Sequence, residues 1–427
     1  MEPFEYRGGT LVCDGAPAPD LADRFGTPLY VYSEAGFRNQ VRQLRDAFSE
    51  IDPLICYAIK ANYNLAVCEV FRDEGCGFDI VSGGELFRVR KIAGDPRKVV
   101  FAGVGKSRAE IEDALDAGIL LFNTESEPEL RRIDRVAGEK GKTAPVSLRL
   151  NPDVDPHTHE HMTTGTRETK FGVDLAAAPR FLEVLAGLRN VRLVGLHVHI
   201  GSQIESPEPY GSALDRLATF FETCRDANAD IEWLDVGGGF GIDYRGGETA
   251  APSDYANAIV PRVKQTGCRA ILEPGRFLVG NSAILLTRVQ YVKEQGGKTF
   301  LICDAGMNDL IRPALYGAYH RIWPAVADEP APEEEEPARR AEGDGRVRVD
   351  VVGPVCETGD VFACDRALPP VSAGDLLAVF SAGAYSFSMS SNYNSRPRAC
   401  EVMMCSGSPR VVRERESYED LIVNEII

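Results

Sequence analysis

The chain has 427 residues, 44% of them hydrophobic and 26% charged, which suffices for two or three domains with large cores and is ordinary for a soluble globular protein. A net charge of -17 argues against nucleic acid or an anionic membrane surface as partner, because both select for basic surface. The eleven cysteines show no C-x-x-C pair and no regular spacing, so neither a zinc site nor a disulfide framework is expected, and reduced thiols in a cytosol fit best.

Met1-Glu2-Pro3-Phe4-Glu5 lacks the basic and apolar regions of a signal peptide, and no apolar run approaches the ~20 residues that cross a bilayer, so a cytoplasmic location is expected. Residues 1–35 contain short extended pieces, Leu11-Val12 and Leu29-Tyr30-Val31-Tyr32, broken by Gly and Pro; they are expected to pair with strands elsewhere. From 36 to 280, apolar runs alternate with stretches of helical period. The runs lie near 54–59, 77–81, 98–102, 118–122, 145–150, 192–199, 232–236 and 269–273. Helices are predicted between them at Ser107 to Ala117, Glu125 to Ala137, Ala177 to Leu188 and Tyr210 to Ala227. Eight strand-helix units predict a closed (β/α)₈ TIM-type barrel in preference to an open sheet. From 281 onward the pattern turns strand-like, at Ala283 to Lys293, Thr299 to Cys303, Val347 to Val352, Asp375 to Phe380 and Ala399 to Met404. This predicts a second domain, 281–427, of β-sandwich or β-barrel-like form, which residues 1–35 join. Within it, residues 328–346 carry Glu333-Glu334-Glu335-Glu336 among Pro, Ala and Gly and are expected to form a solvated acidic surface loop.

Lys60 stands at the end of the run Leu54 to Ile59, where a partly desolvated amine suits imine formation with a carbonyl compound; many strand-end lysines simply reach solvent. The sixth strand ends Leu196-His197-Val198-His199-Ile200, whose period of two sets both histidines on one face. They read as hydrogen-bonded core residues, as site residues, or as half of a metal site, the last disfavoured because no nearby carboxylate or cysteine completes a set. His157, His159 and His161 sit in a polar loop, as surface residues or an active-site flank. Strand seven runs into Gly237-Gly238-Gly239, a cradle for an anion or a plain tight turn, and the spacing is not that of a dinucleotide fingerprint. Strand eight ends Glu273-Pro274-Gly275-Arg276, which places a carboxylate and a guanidinium at the barrel mouth, where sites of this fold are built.

These motifs occur in order with Phe78-Asp79-Ile80-Val81-Ser82-Gly83-Gly84-Glu85, Arg149-Leu150-Asn151-Pro152, Lys170-Phe171-Gly172, Ser202-Gln203, Arg312-Pro313-Ala314-Leu315-Tyr316, Gly353-Pro354-Val355-Cys356-Glu357, Gly383-Ala384-Tyr385 and Ser391 to Pro397. As a set they resemble the pyridoxal-phosphate-dependent decarboxylases of alanine racemase-type fold, most closely the diaminopimelate branch, over nearly the whole chain. The resemblance implies that Lys60 holds pyridoxal 5'-phosphate covalently, that His199 stacks on its ring and that Glu273 pairs with its ring nitrogen. It assigns the phosphate to Ser202, Gly238, the backbone of the Pro274-Gly275-Arg276 turn and Tyr385. Substrate contacts would come from Arg276, Arg312, Tyr316, Glu357 and Tyr385, and Cys356 is similar to the family's proton donor; a buried structural thiol is its competing reading. In this family Cys356, Glu357 and Tyr385 reach a pocket whose lysine belongs to the partner subunit, so a homodimer with shared active sites is implied.

Arg312 and Tyr316 are four apart, and in a helical or turn-like segment share a face suited to clamping a carboxylate, while Glu357 offers a partner for an ammonium. That pocket fits meso-2,6-diaminopimelate, giving L-lysine and carbon dioxide, better than ornithine or lysine, which bring no distal carboxylate. Rival expectations are a decarboxylase for carboxynorspermidine, D-ornithine, D-lysine or a carrier-bound amino acid, and a non-catalytic cofactor-binding regulator. A racemase fits less well, because racemases of this fold set an arginine against the ring nitrogen.

Overall fold

Eight short parallel strands close on themselves in the computed structural model, which describes residues 3–155, 170–227, 229–246, 249–330, 332 and 345–427. In order around the ring they are Leu54–Ala58, Gly77–Ile80, Val99–Phe101, Leu121–Thr124, Ala144–Asn151, Val191–Val198, Trp233–Asp235 and Arg269–Leu272, the last pairing with the first. A two-residue strand, Val173–Asp174, is added beside the fifth. Such strands are buried on both faces, which is why they read as apolar runs and not as alternating ones. Cys56, Val100, Leu121, Val194, Trp233 and Ile271, from six of the eight, pack into one core cluster.

Helix starts are fixed locally. Ser82, Ser107 and Ser126 each accept the backbone N–H three residues on, from Glu85, Glu110 and Glu129, so three crossover helices start at a serine cap, two of them two residues after their strand and the one at Ser107 after a longer loop. The four helices predicted from periodicity are present as Arg108–Ala117, Glu127–Glu139, Ala178–Ala186 and Glu208–Asp226.

The second unit is built on a sheet in the order Val361–Leu368, Val347–Val352, Lys298–Cys303, Ala283–Gln295, Leu29–Ser33, Cys400–Cys405, Ser408–Arg413. Leu29–Ser33 runs antiparallel to Ala283–Gln295 and parallel to Cys400–Cys405, so an amino-terminal strand does join the later ones. The first strands differ from expectation. Phe4–Arg7, Thr10–Cys13 and Ala16–Pro17 pair chiefly with each other, because Gly8-Gly9 and Asp14-Gly15 all take left-handed φ and make two tight two-residue turns. Among the described strands after residue 281, three escaped the sequence reading. Ile322–Pro324 is too short, Val361–Leu368 is interrupted by Asp365 at φ 51, and Ser408–Arg413 is an exposed edge with weak alternation.

The chain divides into two compact units, Gln40–Ile242 with Thr249–Leu278, and Met1–Asn39 with Asp243–Glu248 and Val279–Ile427. The sequence-based boundary, 36–280, did not separate the excursion Asp243–Glu248. It goes with the sheet unit, where the Tyr244 ring meets His320 and the Arg245 guanidinium lies over Tyr319. His157, His159, His161 and the Glu333 to Glu336 run lie outside the described residues. Among the described residues no helix is long and apolar enough to cross a membrane.

Candidate active site

Lys60 sits in the single turn Ile59–Ala61 that ends the first barrel strand. Its Nζ lies 2.7 Å from Oδ2 of Asp79, which is wholly buried on the second strand, with the lysine side chain 36% exposed. Burial and the nearby Glu273 charge push the Asp79 carboxyl up to about 7, against the pull of Lys60. The sequence motif Phe78 to Glu85 contains Asp79 but gives it no role. An acid inside the apolar run Gly77–Ile80 was the available signal.

Glu273, at the end of strand eight, belongs to a buried polar cluster with Asp235, His197 and Asn123. Asn123 Nδ2 donates to Asp235 Oδ2 at 3.1 Å and to Glu273 Oε1 at 3.2 Å, and His197 Nε2 lies 3.4 Å from Glu273 Oε2. Asp235 also accepts the Gly237 N–H at 2.9 Å. Burial and the Glu273 charge push Asp235 well above the ordinary carboxylate range. Burial also opposes ionisation of Glu273, but His197 and then Lys60 outweigh it and hold this carboxyl low. The cluster thus keeps Glu273 ionised and the proton on Asp235. The sequence-based objection to a metal at the histidines is overturned: carboxylates do stand near in space, and ligand atoms of His197, Asp235 and Glu273 all lie within 4.8 Å of one another.

His199, on the same strand face as His197, accepts the Gly238 N–H at Nδ1 (3.1 Å), so its neutral ring carries hydrogen on Nε2. Burial, reinforced by the charges of Arg149 and Lys60, holds it well below the usual histidine range, and it stays neutral. The Gly238 amide is therefore engaged by imidazole. The adjacent Gly239 amide, the third of the triplet that the sequence offers as a cradle, has no hydrogen-bond partner among the described residues.

Arg276 is buried and donates from Nη2 to Ser202 Oγ at 3.0 Å, which joins the loops after strands six and eight. Between them the glycine loop packs with no room for side chains. A Cβ on Gly238 would fall 2.0 Å from the Glu273 carbonyl oxygen, and one on Gly239, at φ +100, 2.4 Å from the Gly201 oxygen. Pro274 accepts the Ala58 N–H at 3.1 Å, and Gly275 is buried between Pro274 and Arg276.

The remaining expected residues lie in the sheet unit. Arg312 opens the short helix Arg312–Tyr316, is buried, lies 2.8 Å through Nη1 from His320 Nε2, and sits 4.7 Å over the Tyr244 ring. Tyr316 is half-buried on the same turn of helix. Tyr385 is half-buried with φ 56, a left-handed conformation uncommon outside glycine and often retained at functional positions. Cys356 and Glu357 lie exposed in the turn between Val347–Val352 and Val361–Leu368, with the Cys356 N–H donating to Asn394 Oδ1 at 2.9 Å. The buried-thiol alternative for Cys356 is therefore wrong.

The barrel donor set fits pyridoxal phosphate group by group: an amine for the aldehyde, an ionised buried carboxylate for a protonated ring nitrogen, and a guanidinium, a hydroxyl and close-approach glycine backbone for the phosphate. Comparison with known proteins agrees. Residues 34–280 match the family model described as pyridoxal-dependent decarboxylase, pyridoxal binding domain. The diaminopimelate decarboxylase of Aquifex aeolicus is 45% identical over 98% of this chain and 96% of its own length. That of Neisseria meningitidis serogroup A is 46% identical over 98% and 99%. Among solved structures, diaminopimelate decarboxylase from Helicobacter pylori, complexed with L-lysine, superposes with a TM-score of 0.89 at 38% identity, covering 95% of this chain and 98% of that one. The M. jannaschii enzyme, also with L-lysine, gives 0.91 at 36% identity over 100% and 99%. With the lysine, the ionised glutamate and the glycine cradle in place and relatives matching end to end, the chain belongs to the diaminopimelate decarboxylase family of pyridoxal-dependent decarboxylases.

Proposed function

We propose that this chain converts meso-2,6-diaminopimelate to L-lysine and carbon dioxide, the last step of lysine biosynthesis. The observation that carries the reading is Glu273, buried at the same barrel mouth as Lys60 with Asn123 donating to one carboxylate oxygen and His197 beside the other. Pyridoxal phosphate, when bound, supplies the sink for the electron pair left on the substrate Cα as the carboxylate departs. Lys60 is the amine that would hold the cofactor aldehyde, and Asp79 keeps its Nζ oriented. Glu273 stabilises positive charge at the ring nitrogen, and Asp235, by retaining its proton, keeps a second negative charge from competing for it. Arg276 and Ser202 would hold the phosphate together with the glycine loop, and the neutral ring of His199 would be available to stack on the cofactor.

Arg312 takes the distal carboxylate, with Tyr316 beside it, and Glu357 takes the distal ammonium. Cys356 Sγ delivers the proton that replaces the lost carboxylate at Cα and regains one from solvent. The exposure of Cys356 and Glu357 in the single chain supports a homodimer in which these residues and Tyr385 complete the partner's site. The two lysine-bound relatives support the product, and a biosynthetic role supports a cytoplasmic location. The test is carbon dioxide release from meso-diaminopimelate by wild type and by Cys356→Ala. Turnover by wild type that the variant loses supports the reading; faster turnover of ornithine than of the diacid overturns it.

A further inference from the structure

Arg312 cannot select a carboxylate unless its planar head is held in one orientation, and a long flexible side chain does not hold itself. The sheet unit contains a built support for it. His320 is wholly buried, and its two ring nitrogens each make a 2.8 Å contact, Nε2 with Arg312 Nη1 and Nδ1 with the Phe380 carbonyl oxygen. A guanidinium only donates and a carbonyl only accepts, so one tautomer satisfies both ends: hydrogen on Nδ1, lone pair on Nε2. An imidazolium would set N–H against N–H and charge against charge. Both anchors are fixed, since the Phe380 N–H donates to the Arg321 carbonyl at 2.8 Å and Arg366 Nη1 donates to the His320 carbonyl at 3.0 Å. The Tyr244 ring closes the arrangement, lying 4.7 Å beneath the Arg312 guanidinium and edge-on to His320 at 5.4 Å.

We propose that His320 is a positioning residue for substrate selection, acting as a neutral donor-acceptor link that ties the Arg312 guanidinium to the Phe380 backbone and so aims it at the distal carboxylate. The inference rests on the reading of Arg312 as the distal clamp. It predicts a dependence on that one carboxylate, which L-lysine retains as product and 1,5-diaminopentane lacks.

The experiment compares wild type, His320→Leu, His320→Gln and Arg312→Ala as holoenzymes, checked for melting temperature and cofactor absorbance. The readouts are KM and kcat for meso-diaminopimelate and inhibition constants for L-lysine and 1,5-diaminopentane. In His320→Leu the first KM and the L-lysine constant should rise about 10- to 100-fold, the loss expected for a buried hydrogen bond to a charged group. The 1,5-diaminopentane constant should stay within about twofold and kcat within about threefold, and His320→Gln, which restores an acceptor for Arg312, should recover most of the loss. Three results overturn the proposal: wild-type constants in His320→Leu, equal weakening of both inhibitors, or no recovery with Gln. If Arg312→Ala leaves the L-lysine constant unchanged, the clamp itself is elsewhere and both readings fall; if only that variant weakens it, the clamp stands and His320 is not its support.

Discussion

Gly238→Ala is a steric probe of the cofactor site, because residue 238 does not need left-handed φ and the change introduces a single methyl. That methyl would sit 2.0 Å from the Glu273 carbonyl oxygen and 2.9 Å from its carbon. An ordinary contact is about 3.4 Å, so the glycine loop and the end of strand eight must part by about 1.4 Å. Neither side yields easily. The Glu273 N–H is bound to the Gly237 carbonyl at 2.9 Å, and the next carbonyl, of Pro274, accepts from Ala58. The displacement therefore reaches the proposed phosphate cradle and the carboxylate proposed for the ring nitrogen together. Lengthening one charge-assisted contact costs about 1.5–3 kcal/mol, or about 10- to 150-fold in cofactor affinity. A misplacement of about 1 Å should lower kcat about 100-fold even at saturating cofactor. Titration of apoenzyme with pyridoxal phosphate, followed by visible absorbance and then turnover, measures both. Gly267→Ala, at φ +73 with nothing within 4 Å of the added methyl, is the control and should lose some stability but no affinity. Wild-type affinity and turnover in Gly238→Ala would refute the cradle.

Lys60→Ala should abolish the visible absorbance of the lysine-bound cofactor, and a variant with the wild-type spectrum would remove Lys60 from its role. Arg312→Ala should raise KM for diaminopimelate by one to a few orders of magnitude, from the roughly 2–5 kcal/mol lost when one partner of a desolvated charge pair is removed. Asp235→Asn replaces an acid that already holds its proton and should reduce kcat by less than about tenfold, whereas Glu273→Gln should reduce it about 100-fold or more; equal losses would contradict the division of charge between them. Asp309, buried in the sheet unit, has its carboxyl pushed up to about 7 from 3.8, mainly by burial. Its folded value is the higher one, so its contribution is full below pH 3.8 and is lost as pH rises toward 7. The change is about 1.36 × 3.2, or about 4 kcal/mol. Asp309→Asn can still accept the Gly306 N–H and should flatten that decline; denaturant melts at pH 4 and pH 8 with the same wild-type slope would exclude it.

The barrel was legible because each strand is an uninterrupted apolar run and each crossover has helical period; those signals are local. Lys60, Glu273, Arg276 and the glycine triplet were legible for a related reason, being charged or unsubstituted residues at the ends of such runs. What escaped was set by pairing across the fold. Asp79, Asn123 and Asp235 are single polar residues within apolar strands, and nothing in linear order says that Asn123 bridges to residues 112 and 150 positions away. The carboxylates beside the histidines escaped for the same reason, Asp235 and Glu273 being near His197 in space and distant along the chain. His320 was invisible because its meaning lies in the Phe380 carbonyl, 60 residues on.

Leu54–Ala58 and Arg269–Leu272 are neighbours in the ring although more than two hundred residues separate them, and the Ala58-to-Pro274 hydrogen bond stitches the seam just below Lys60. The amine and the acid that complements it are thus supplied by opposite ends of the barrel sequence. A ribosome-bound fragment that stops short of the final strand has the nucleophile without its counter-group.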